Sequence, residues 1–388
     1  MKIADLRQTL KTCNDRFIGI RGEHIYYAVE RAMDGQPHLL LMDCNWAERQ
    51  TRTLADYCIN RQDYVLHCFL FAENILLIME NGGSEAWLLK LSRYSGEQQS
   101  LRQARFAGSF VKCSALDSDH VIFYSRASRM DASLFREYSR RTGYMQAACL
   151  YDMKQDCCWS IQDARICAGA ELLTFSGGGE QKLLLTQTGG TEAEKRRDYR
   201  NRRFVRSRQE DSISVCSLAE FIAEIEQETA RIPMQRLFRA GISGMVRYVC
   251  MDSESLYFRA LDFPSNEQHV FAVSRHTGAV RDAAALTLLP EEPDARFTAE
   301  HGRFFRLTER ADGQIDVQGF LNSTAQISYD AEFGEMVSCL DDRYLVLRDI
   351  LKDDTDTLIF SSVCDTKTGQ VRQFEGNCAV QENVILLY

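Results

Sequence analysis

The residues best suited to chemistry are unevenly spread along this chain. From Lys195 to Arg208 the sequence reads Lys195-Arg196-Arg197-Asp198-Tyr199-Arg200-Asn201-Arg202-Arg203-Phe204-Val205-Arg206-Ser207-Arg208, with eight basic side chains among 14 residues. Guanidinium groups donate paired N–H bonds to carboxylates and phosphates, and the interleaved Tyr199 and Phe204 offer faces for stacking. Lys195, Arg196, Arg197, Tyr199, Arg200, Arg202, Arg203, Phe204, Arg206 and Arg208 are therefore the candidate partner-binding residues. An acidic protein is the expected partner. Nucleic acid is disfavoured, because the whole chain carries 55 acidic against 46 basic residues and a net charge of -9, which gives no global attraction for polyanions. Ten residues further on, Leu218, Phe221, Ile222 and Ile225 recur at the spacing of one helix face. Ser217 and Glu220 fit a capping box there. Glu220, Glu224, Glu226 and Glu228 make the other face acidic, so pairing between this helix and the basic segment is the expectation that competes with an external partner.

Other chemistries find less support. The seven histidines include no H-x-x-x-H or H-x-H pair, although His24, His120 and His301 share a corner position in the repeat described below. Fourteen cysteines contain no C-x-x-C spacing, and Cys157-Cys158 is the one adjacent pair. Several lie in apolar runs, such as Cys68 within Leu66-His67-Cys68-Phe69-Leu70, and are expected to be buried reduced thiols. No metal and no cofactor is implied. Ser176-Gly177-Gly178-Gly179 lacks the Gly-Lys-Ser/Thr ending of a phosphate loop, and Asn81-Gly82-Gly83-Ser84 joins two strands, so both read as hairpin turns. No nucleophile elbow appears, and catalytic residues are left unassigned.

These residues must be positioned by β-structure. A short alternating strand, a polar corner and a strongly apolar strand recur, followed by a second apolar strand, a turn and a more polar strand. The first copy holds Phe17-Ile18-Gly19-Ile20 and Ile25-Tyr26-Tyr27-Ala28-Val29, and the second Ile75-Leu76-Leu77-Ile78-Met79. Corners fall near residues 23, 73, 118, 179, 253, 301, 342 and 382, a period of about 40 to 50 residues where no insertion intervenes, the size of a four-stranded propeller blade. A half copy ends the chain at Val384-Ile385-Leu386-Leu387-Tyr388, and Lys2-Ile3-Ala4-Asp5-Leu6-Arg7-Gln8 resembles the outer strand of a blade.

Across nearly its whole length the chain resembles β-propeller repeat proteins, without the Trp-Asp or double-glycine signatures of named subfamilies. The resemblance implies an all-β, single closed β-propeller over 1–388, with one composite blade built from both termini. Eight blades are favoured over seven, the count if the insertion-rich fourth copy is not a blade. Insertions are expected at 126–144 and 188–231. The first residues lack the apolar run of a signal peptide, and nowhere do 18 uncharged apolar residues follow one another, so a cytoplasmic protein without a membrane span is expected. The function expected is a non-catalytic scaffold that binds a protein through its loops. The alternatives are a hydrolase or lyase with its site at the channel mouth, and nucleic-acid binding through the arginine-rich segment.

Overall fold

The computed structural model describes residues 2–388 apart from 12–14, 82–84, 104–108, 127–132, 134–135, 137–139, 141–145, 190–191, 202–210, 283–295, 301–302, 311–313, 321–325, 331–333, 341–342, 353–356 and 382. Seven sheets have four antiparallel strands each, in chain order, and an eighth has three. Blades 1 to 7 cover 16–58, 64–103, 109–160, 171–239, 244–282, 296–330 and 334–375. The eighth joins Cys378–Gln381 and Val384–Leu387 to Lys2–Asp5. The eight sheets stand around a common axis. The chain is an eight-bladed β-propeller.

The apolar second strands explain the ring. Side chains along a strand alternate between faces, and each blade has a neighbour on both faces, so both sets must be apolar. In blade 2, Ile75 and Leu77 pack into the cluster shared with blade 1, and Leu76 and Ile78 into that shared with blade 3. In blade 3, Val121 and Phe123 face blade 2 while Ile122 and Tyr124 face blade 4. In blade 7, Leu345 and Leu347 face blade 6 and Val346 faces blade 8. Burying one such side chain contributes roughly 1.5–3 kcal/mol, and these clusters form the core.

The composite blade follows the expectation in composition and refines it in geometry. Lys2–Asp5 pairs in parallel with Val384–Leu387, Lys2 opposite Val384 and Asp5 opposite Leu387. A fourth strand must deliver the chain to the end of the ring where the next inner strand begins. Lys2–Asp5 has that polarity but takes the third position, because the C-terminal half copy supplies only two strands. Val384 and Leu386 then pack on Ile25 and Tyr27 of blade 1, while Ile385 and Leu387 pack on Val346 of blade 7. The Ile20 amide also donates to Gln381 Oε1 at 2.9 Å, linking the inner strands of blades 1 and 8.

Strand polarity assigns every connection to a face. Turns between first and second strands, and between third and fourth, lie on one face, termed lower. Connections between second and third strands, and links between blades, lie on the upper face. All eight corners expected from the sequence fall between a first and a second strand, those near 301, 342 and 382 on residues outside the described ones. No helix among the described residues is long and apolar enough to cross a membrane. None of the twelve cysteines whose side chains are described is in a disulfide, Cys157 and Cys158 included, and burial pushes the Cys68, Cys216, Cys250 and Cys364 thiols up to about 12.

Candidate functional site

The basic segment begins as a helix, Glu192–Arg200, in the upper-face connection of blade 4 between strands Glu180–Gln187 and Ser212–Ser217. Its mounting is ionic and aromatic. Lys195, with 8% of its side chain exposed, places Nζ 2.8 Å from Asp211 Oδ1 and donates to the Gly244 carbonyl at 3.2 Å. Asp211, fully buried, also pairs with Arg247 through Oδ2 and accepts the Gly189 and Val246 amides at 2.6 and 3.1 Å. A buried carboxylate is costly unless paired and hydrogen-bonded, and here both of its oxygens are engaged. One residue on, the Arg196 guanidinium lies 5.2 Å over the Phe263 ring and donates to Asn266 Oδ1 at 2.8 Å. Tyr199 meets the same ring at 6.0 Å, beside Met245 and Leu261. The helix is thus clamped onto the upper face of blade 5, with Arg197 and Arg200 exposed.

Of the candidates from sequence, the structure brings Lys195, Arg196 and Tyr199 onto blade 5 and leaves Arg197 and Arg200 at the surface. Arg202, Arg203, Phe204, Arg206 and Arg208 lie outside the described residues. Asp211, Arg247 and Phe263 were not singled out in the sequence. A buried Asp just before a strand carries no local signature, and its cations come from a helix and from the next blade.

The acidic helix forms as expected, at Leu218–Glu226, with Leu218, Phe221 and Ile225 buried. Two expectations about it are corrected. Ser217 occupies the N-cap, but its side chain makes no capping bond. The helix does not pair with the basic one among the described residues. It follows the third strand, which ends on the lower face, and packs against blades 3 and 4, whereas the basic helix sits on the upper face against blade 5.

On the lower face this helix and the corners of blades 3 and 4 enclose a cleft of about 620 Å³. His120 lies at its edge. Its Nδ1 sits 2.9 Å from Asp117 Oδ1, and its Nε2 3.8 Å from Asp152 Oδ2. The Asp117 hydrogen bond and the neighbouring carboxylates raise its pKa against the effect of burial. Burial alone would raise the pKa of Asp117, but bonds from His120 and from the Asp119 and His120 amides outweigh it and hold the carboxyl below its usual range. With a carboxylate facing each ring nitrogen, the imidazole is favoured as a bound cation, not as a free base. His24 has a similar anchor in blade 1, with Nδ1 2.6 Å from buried Asp43 Oδ1. His24 and His120 therefore share a face without meeting, since blade 2 stands between them, and His301 lies outside the described residues. Among the described residues no group of three or more His, Cys, Asp and Glu is arranged to hold a metal ion.

No protein-family model matches the chain, and no curated protein is recognisably similar in sequence. Among solved structures it is similar to a prolyl endopeptidase, at a TM-score of 0.51 and 12% identity over 94% of this chain and 50% of that one. Oligopeptidase B from Leishmania major matches at 0.51 and 10% identity, over 93% of this chain and 48% of that one. Prolyl oligopeptidase B from Galerina marginata matches at 0.50 and 12%, over 93% and 50%. The chain spans about half the length of these proteins. The likeness is one of fold.

Proposed function

We propose that this propeller is a non-catalytic binding module that recognises an acidic protein segment through the basic helix on its upper face. The observation that carries this reading is the clamped mounting of Glu192–Arg200. The buried Lys195–Asp211–Arg247 cluster and the Phe263 stack hold the helix at both of its turns. A fixed helix presents Arg197 and Arg200 with less ordering entropy to lose on binding than a loose loop. Three helices, Ala164–Cys167, Glu192–Arg200 and Leu218–Glu226, fall between the end of blade 3 and the end of blade 4. This concentration of helix marks the sector around blade 4, as a directional binding surface requires.

The test is fluorescence anisotropy with a labelled polyglutamate peptide at several salt concentrations. Binding that weakens about tenfold in the double variant Arg197→Glu/Arg200→Glu, and that falls with salt, is expected. Tighter binding of single-stranded RNA through the same residues would replace the reading with nucleic-acid recognition, and no binding of either probe ends it. The peptidase neighbours favour a second reading, in which the propeller serves a hydrolase. Cleavage of short fluorogenic peptides by the purified chain would support it.

A further inference from the structure

The lower-face cleft between blades 3 and 4 plays no part in that reading, and it lies on the opposite side of the ring. Its volume, about 620 Å³, falls in the range that encloses a ligand or a few residues of peptide. One wall is carbon. Leu218, Ala219, Ile222 and Ala223 line it from the helix, and Ile222, though it packs against the core, is the member of the helix's apolar stripe that stays only partly buried, beside the buried Leu218, Phe221 and Ile225. The same cleft carries a rim of acid. Asp119 comes from the blade 3 corner, Glu180 from the blade 4 corner and Glu226 from the last turn of the helix, with Lys154 as the one lysine. His120 offsets little of this charge, because it is already bound to Asp117 and near Asp152.

We infer that the cleft is a docking groove for a basic, amphipathic peptide segment of a partner protein, in which arginine or lysine side chains alternate with apolar ones. The basic side chains meet Asp119, Glu180 and Glu226, and the apolar ones lie on Ile222 and Ala219. The charge pattern selects the occupant. An acidic or neutral apolar peptide would leave the rim carboxylates of Asp119 and Glu226 unanswered, Glu180 already having Lys182 Nζ at 3.5 Å, and an isolated cation would leave the carbon wall wet.

The experiment uses the full chain and three labelled pentapeptides, alternating arginine with leucine, arginine with serine, and glutamate with leucine. The arginine–leucine peptide is expected to bind at least tenfold more tightly than either other peptide. Glu180→Lys/Glu226→Lys is expected to weaken it at least tenfold, and Ile222→Asp likewise, with circular dichroism melting curves confirming that each variant folds. The upper-face variant Arg197→Glu/Arg200→Glu is expected to leave this affinity unchanged, which separates the groove from the basic helix. Equal affinity for the serine peptide, retained binding in the charge-reversed variant, or no binding would each overturn the inference. So would self-association abolished by Glu180→Lys/Glu226→Lys, which would make a second copy of the chain the occupant.

Discussion

Asp211 shows how much one residue decides. It lies just ahead of the strand Ser212–Ser217, buried, and it collects Lys195 from the basic helix and Arg247 from the inner strand of blade 5. Removing one member of a buried ionic cluster costs more than the cluster contributes, because the remaining charges stay desolvated. Asp211→Ala, which strands two cations, is expected to destabilise the protein by roughly 3–5 kcal/mol. Lys195→Met leaves the carboxylate with Arg247 and two amides, so a smaller loss is expected. Urea denaturation of both variants checks the order, and equal losses would mean that Asp211 is not the hub. Lys195 is the one lysine among seven arginines in its run, but nothing in that stretch marks it for burial. Only the fold selects it for burial while Arg197 and Arg200 stay exposed.

At the scale of elements, one turn is used repeatedly. Third strands hand over to fourth strands through a loop that opens on Asn45, Ser92, Asp152, Ser274 or Asp365, each accepting a backbone amide two residues on. Four residues after that position the backbone is left-handed, at Arg49, Gly96, Asp156, Gly278 and Gly369. The three glycines made their turns visible in the sequence. Arg49 and Asp156 concealed theirs, since side chains rarely take this conformation. Arg49 at φ 57° carries strain that glycine would release. Arg49→Gly is expected to stabilise by about 0.5 kcal/mol, the left-handed cost less the extra flexibility of glycine when unfolded. Gly96→Ala is expected to lose at least about 2 kcal/mol, because the φ of +72° is already unfavourable and the new Cβ would lie 2.1 Å from the Leu54 carbonyl oxygen of blade 1. Thermal melts of both variants moving in the same direction would contradict this account. A second recurrent device escaped the sequence altogether. The inner strands of blades 1, 2, 3, 5 and 7 shift register at Phe17/Gly19, Val65/His67, Phe110/Lys112, Tyr248/Cys250 and Met336/Ser338. Such bulges increase twist where strands crowd an axis, and they have no fixed residue signature.

At the scale of the whole molecule, the ring depends on its composite blade. Lys2–Asp5 contributes the edge of that sheet, Ala4 joins the cluster shared with blade 1, and Lys2 Nζ lies 4.0 Å over the Trp46 ring. Deleting residues 2–5 is expected to cost roughly 2–4 kcal/mol, at about 1 kcal/mol net per hydrogen bond, and to expose the seam between blades 8 and 1. Hydrogen exchange should then quicken first in Val384–Leu387 and in His24–Met33 of blade 1. An unchanged denaturation midpoint would mean that blades 7 and 1 hold the ring without this strand.

The alternation of apolar residues, the polar corners and the half copy at the C-terminus were enough to specify strands, blade count and the meeting of the two ends. All of these rest on local periodicity and on the need to bury two faces of every sheet. Tertiary structure alone decided which face each connection occupies. The basic and acidic helices, separated by the 17 residues 201–217, part because the strand Ser212–Ser217 between them carries the chain from the upper face to the lower. It also decided the partners of Asp211 and the walls of the lower-face cleft, because these come from different blades. Their proximity is a property of the ring's order, and no short stretch of sequence encodes it.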